Sequence, residues 1–128
     1  MMTTLDTIAL QEIARVTVAA LNTFSRVRFP VPKIKLKRVM GSWYWRKTRR
    51  RAVATITISH SRNDREKVDA LAHELAHHMV FHLAKDESSH GEFFSRCLRQ
   101  VIDVMGLDSY DWSLEYHRVR ERAARRSH

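Results

Sequence analysis

The chain has one cysteine, two prolines and three glycines, and no apolar run near the roughly 20 residues that a bilayer-spanning helix needs. The lone Cys97 excludes an intramolecular disulfide and a cysteine-based zinc ribbon, which fits a reducing cytoplasm. Its thiol reads as a small buried apolar group. The first ten residues lack a basic leader region and carry Asp6, so neither export nor membrane insertion is expected and the expected location is cytoplasmic. Acidic side chains are scarce beside basic ones, 14 against 23, and the net charge is +9.

The excess positive charge falls in three blocks, Lys33 to Arg38, Arg46 to Arg51 and Arg118 to Arg126. Such blocks attract nucleic acid, an anionic surface or an acidic partner, and a solvated basic surface is the competing explanation of each one. Arg46, Lys47, Arg49, Arg50 and Arg51 are the candidate nucleic-acid contacts, with Trp43, Tyr44 and Trp45 alongside as a possible stacking platform or as core aromatics. At 128 residues the chain has room for one domain with a real core. The expected division is a compact domain over 1–117 and a basic tail over 118–128.

The densest chemical signal is His73-Glu74-Leu75-Ala76-His77. On a helix, side chains four positions apart share a face, so His73 and His77 can grip one metal ion. Glu74 lies one step round, where it suits a general base on a metal-activated water. The composition yields only about 0.03 such motifs per shuffled chain, and the motif sits within an apolar helical period of Val68, Leu71, Ala72, Leu75 and Met79. One catalytic Zn2+ is the expected cofactor. His78 and His82 share the four-residue spacing but lack a glutamate so placed, and read as polar supporting residues.

Around this helix, apolar periodicity predicts a packing helix from about Thr4 to Val27, whose other face carries Asp6, Gln11, Glu12, Arg15 and Asn22. Pro30 and Pro32 force an extended exit. Lys33 to Val39, Trp43 to Lys47 and Ala52 to Ser59 then read as three strands of an antiparallel meander. Capping residues at Ser61 to Asp64 start the motif helix, predicted over Asp64 to Leu83. Ser89 and Glu92 resemble a capping box for a further helix from His90 to Met105, stopped by Gly106. A tight loop before that helix would bring His90 back to the metal as third ligand, with Glu92 as its rival. The fold class is therefore α+β, ending in a basic C-terminal segment.

The order of helix, small sheet, motif helix and then His90-Gly91 with Phe94 on the next helix resembles the SprT-like zinc metallopeptidases. The resemblance implies that His73, His77 and His90 bind zinc and that Glu74 activates water. It does not extend to the longer metzincin signature, which requires glycine and histidine where this chain has Val80 and Leu83. Well-known members act on proteins attached to DNA, which implies protein or peptide substrates, DNA-bound proteins among them. Tyr44, Tyr110, Tyr116 and His117 are the candidates for stabilising an oxyanion. The competing function is a basic nucleic-acid-binding module whose zinc merely joins two helices.

Overall fold

The computed structural model of the chain describes residues 4–38, 42–47, 52–84 and 91–107. Its elements are α1 (Thr7–Phe24), β1 (Lys33–Lys37), β2 (Ser42–Lys47), β3 (Ala52–Ser59), α2 (Asp64–Ala84) and α3 (Glu92–Met105), an α+β arrangement. No helix among the described residues is long and apolar enough to cross a membrane. The basic loop at 48–51, the loop containing His90, and everything from 108 onward, including the expected boundary at 117, lie outside the described residues.

Helix α1 is shorter than its apolar period predicts, because Asp6 and Ser25 both take extended backbone. Asp6 caps it, its carboxylate accepting the Ala9 N–H at 2.8 Å. The helix buries Leu10, Ala14, Thr17, Val18 and Leu21 along one stripe. Two polar residues expected only on its outer face do structural work instead. Gln11 donates to the Pro32 carbonyl at 2.8 Å and accepts the Ile34 N–H at 2.9 Å, which fixes the entry to β1. Asn22 does the same for Phe29, accepting its N–H at 2.7 Å and donating to its carbonyl at 3.0 Å. The proline segment is thereby held at both ends by one helix.

The sheet differs from the expected antiparallel meander. Its order is β1-β3-β2, with β2 antiparallel and β1 parallel to β3. The physical reason lies in side-chain composition. Ala54, Thr55, Ile56, Thr57 and Ile58 are all buried, so β3 is covered on both faces and takes the centre. Strand β1 alternates buried Ile34 with the exposed Lys33 and Lys37, and charged lysines suit an edge that must not pair further. The antiparallel pairing of β2 with β3 follows the sequence reading, with Tyr44 opposite Thr55.

Helix α2 starts with a reciprocal cap, in which Asn63 accepts the Glu66 N–H at 2.8 Å and Glu66 accepts the Asn63 N–H at 3.2 Å. It touches α1, α3, β2 and β3. Lys67 on its first turns is only 2 % exposed, its ammonium donating to the Leu5 carbonyl at 3.0 Å. The Leu5 N–H in turn donates to Asp64 at 2.7 Å, so the chain before α1 is pinned to α2.

Helix α3 begins at Glu92 rather than His90, with Gly91 at the cap position and no side-chain cap. Ser89 lies outside the described residues. Glu92 pairs with Arg96 at 2.8 Å on an exposed face instead of capping the helix. Gly106 ends α3 as expected. Its φ of 70° is left-handed, and the Gly106 and Leu107 N–H groups bond to the Asp103 and Ile102 carbonyls.

The clamp at Asn22 gives a direct test. Asn22→Ala removes two hydrogen bonds to one buried residue and is expected to lower the unfolding free energy by about 2 kcal/mol in urea titrations. The neighbouring exposed Thr23→Ala is expected to stay within about 0.5 kcal/mol of wild type.

Candidate metal centre

The sequence predicts an amphipathic α2, but every residue from Ala70 to Val80 is buried. The helix runs through the core, so its polar side chains have no water to fall back on. His73, Glu74, His77 and His78 are 3 %, 6 %, 6 % and 1 % exposed. Burying such groups is costly unless each is partnered, and four in six consecutive positions mark a site.

His73 and His77 project from one face of α2, and their Nε2 atoms lie 3.2 Å apart. Without a metal, one imidazole donates to the other at that distance. The separation also fits a shared ion, because two nitrogens bound at about 2.0–2.1 Å to one tetrahedral zinc are about 3.3 Å apart. Phe94 of α3 closes the third side. Its ring centroid is 5.1 Å from that of His73 and 4.6 Å from that of His77, and it is 2 % exposed. A buried ring against both imidazoles restricts their rotamers and keeps water off that flank.

The second histidine pair behaves differently. The neutral His78 side chain uses Nε2 to donate to the Pro30 carbonyl at 2.7 Å. Burial pushes its pKa down to about 4, with the Pro30 carbonyl opposing the shift and His82 adding slightly to it. The His82 ring packs at 4.6 Å from His78 and 6.1 Å from Phe29. Burial lowers its pKa too, and its Nε2 has no hydrogen-bond partner among the described residues. His78 is thus a tie between α2 and the proline segment, a role its spacing did not reveal. Only the placement of the proline segment, which Asn22 holds through the neighbouring Phe29, could have shown it.

The other expected site residues are less closely placed. His90, the expected third ligand, lies outside the described residues, as do Tyr110, Tyr116, His117, Arg49, Arg50 and Arg51. Among the described residues no group of three His, Cys, Asp or Glu side chains converges to hold a metal. Glu92, the rival ligand, is occupied with Arg96 in solvent. Tyr44 lies on β2, a strand that touches α2, and Arg46 and Lys47 close the same strand opposite Val53 and Ala52. His60 is exposed. Sequence reading also missed Lys67, whose signal was a single lysine one position from the apolar stripe.

Residues 10–120 match the model of the SprT-like family. No curated protein and no solved structure matches the chain.

The His78 tie predicts a pH effect of definite sign. Folding favours the neutral imidazole, so the stabilisation is complete above the unfolded pKa of about 6.5 and is lost as pH falls through about 4. The loss is on the order of 3 kcal/mol. Urea unfolding at pH 7.5, 5.5 and 4.5, with chelator present, is expected to show a steeper fall for wild type than for His78→Gln. That variant can still donate to Pro30 but does not titrate.

Proposed function

The chain belongs to the SprT-like family, and from that premise we propose that it is a zinc-dependent metallopeptidase that hydrolyses peptide bonds. The observation that carries the reading is the 3.2 Å approach of the His73 and His77 Nε2 atoms beside the buried Glu74. His90 supplies the third ligand. Phe94 touches both imidazoles, and His90 is four residues before it, within about 14 Å even for a fully extended chain. The loop is therefore short enough to bring His90 to the pair.

Zinc held by these three histidines supplies a Lewis acid for the scissile carbonyl and brings the pKa of its water towards about 7. The remaining work belongs to the chain. Glu74 accepts a proton from the attacking water on its carboxylate and passes it to the departing amine nitrogen. Its burial in α2 keeps that carboxylate out of bulk water, one position along the helix from His73. Phe94 holds the two imidazoles in their binding rotamers. One of Tyr44, Tyr110, Tyr116 and His117 donates to the developing oxyanion. The basic residues Arg46, Lys47, Arg49, Arg50 and Arg51 bring the enzyme to DNA, so that DNA-bound proteins are its substrates.

Zinc content by elemental analysis, with cleavage of casein and of a DNA-bound protein, tests this on wild type and Glu74→Gln. One zinc in both and a loss of about 10²–10⁴-fold in cleavage by the variant are expected. One zinc in both with no cleavage by either would make the site structural, and no zinc in either would overturn the proposal.

Phe94 gives an independent check. Phe94→Ala is expected to weaken zinc about 10–100-fold in competition with a chromophoric chelator. Phe94→Leu, which keeps an apolar wall, is expected to lose less.

A further inference from the structure

On the reverse side of α2 from the imidazole pair, α1 and α3 leave an open apolar groove of about 390 Å³. Ile13, Val16 and Ala20 form one wall, Met105 and Leu107 the other, and Val68 the floor. Val68 and His77 are nine positions apart on α2, which at about 100° per residue puts them on opposite sides of the helix. Val16 is 53 % exposed and Phe24, two turns further along the same stripe of α1, is 78 % exposed. An apolar face of this length on a small domain calls for a cover.

The chain itself points to one. The left-handed turn at Gly106 ends α3, and Leu107 is already seated against the core as part of the groove wall. The chain therefore leaves the described fold at the rim of the groove. It continues for 21 residues beyond Leu107. In the first of these, Tyr110, Trp112, Leu114 and Tyr116 alternate with Asp111, Ser113, Glu115 and His117. Strict alternation is the pattern of an extended segment with one apolar face. Tyr110 to Tyr116 would span about 20 Å when extended, and Glu12 to Phe24 spans about 18 Å along α1. The family match also runs through this segment and stops at 120, where the arginine-rich end takes over.

We propose that the segment from Tyr110 to Tyr116 docks in extended form in the groove between α1 and α3 of its own chain, with Tyr110, Trp112, Leu114 and Tyr116 facing inward. The docking stands independently of any metal chemistry. It has one consequence that rests on the peptidase reading: Tyr110 and Tyr116 become anchors on the far side of α2 and carry the adjacent His117 with them, which leaves the oxyanion role to Tyr44.

A double-mutant cycle on the full chain tests it by thermal melting, with Trp112→Ser on the segment and Val16→Ser or Met105→Ser in the groove. Trp112→Ser alone is expected to lower Tm by about 5 °C. Trp112→Phe should keep most of the wild-type value. Once Trp112 is replaced, at least one groove substitution should cost less than half of what it costs in wild type. Should Trp112→Ser fail to fold, Leu114→Ala takes its place in the same cycle. Sedimentation at several concentrations identifies the occupant. A monomer with coupled substitutions supports the proposal. Additive shifts for both groove positions overturn it, and so does coupling confined to a dimer, which would seat a second copy of the chain in the groove.

Discussion

Everything in this molecule has to accommodate a helix that carries ionisable groups through the core. From Ala70 to Val80, α2 has no solvent face, yet His73, Glu74, His77 and His78 lie within that span. A buried imidazole or carboxylate is tolerated only where the surrounding structure supplies partners of the right kind. The parts around α2 can be understood as suppliers. The clamp of Asn22 on Phe29 holds the proline segment in place, and the adjacent Pro30 carbonyl then meets His78. Helix α3 brings Phe94 against His73 and His77. The chain before α1 provides the Leu5 carbonyl for the buried ammonium of Lys67.

The sheet serves the same end through its mixed topology. A strand covered on both faces must be apolar or hydroxylated throughout, and Ala54 to Ile58 meet that condition. With β3 at the centre, the lysine-bearing β1 becomes an edge, and β2 occupies the other edge while still touching α2. Tyr44, Arg46 and Lys47 consequently lie on an edge strand next to the helix that bears the histidines.

What could be read beforehand follows from how locally each feature is encoded. The helix spans, the His73 to His77 spacing and the stop at Gly106 depend on residues a few positions apart, and they emerged with small errors at the ends. Strand alternation reveals which residues face the same way but carries no information on which strand lies beside which, so the parallel β1 was missed. Gln11, Asn22 and Lys67 were also missed as structural residues. Gln11 and Asn22 fall on the face that periodicity assigns to water, Lys67 borders the apolar stripe of α2, and each acts on a backbone group 7 or more positions away. The buried reverse face of α2 was hidden for a related reason, since a helix covered all round shows no clean polar stripe.

The two histidine pairs of α2 show what spacing by itself leaves undecided. His73 with His77 and His78 with His82 have the same interval on the same helix, and their ring centroids are 4.8 Å and 4.6 Å apart. The surroundings of their nitrogens separate them. In the second pair, the His78 Nε2 is committed to a backbone carbonyl at 2.7 Å, so it is engaged as a donor to the fold. In the first pair, the two Nε2 atoms face each other at a distance that one small cation can bridge, with a carboxylate beside them in sequence. The difference between the two pairs on this helix therefore lies in the atom each nitrogen meets, a carbonyl of the proline segment that α1 holds in place for His78 and the opposing imidazole, walled by Phe94 of α3, for His73 and His77.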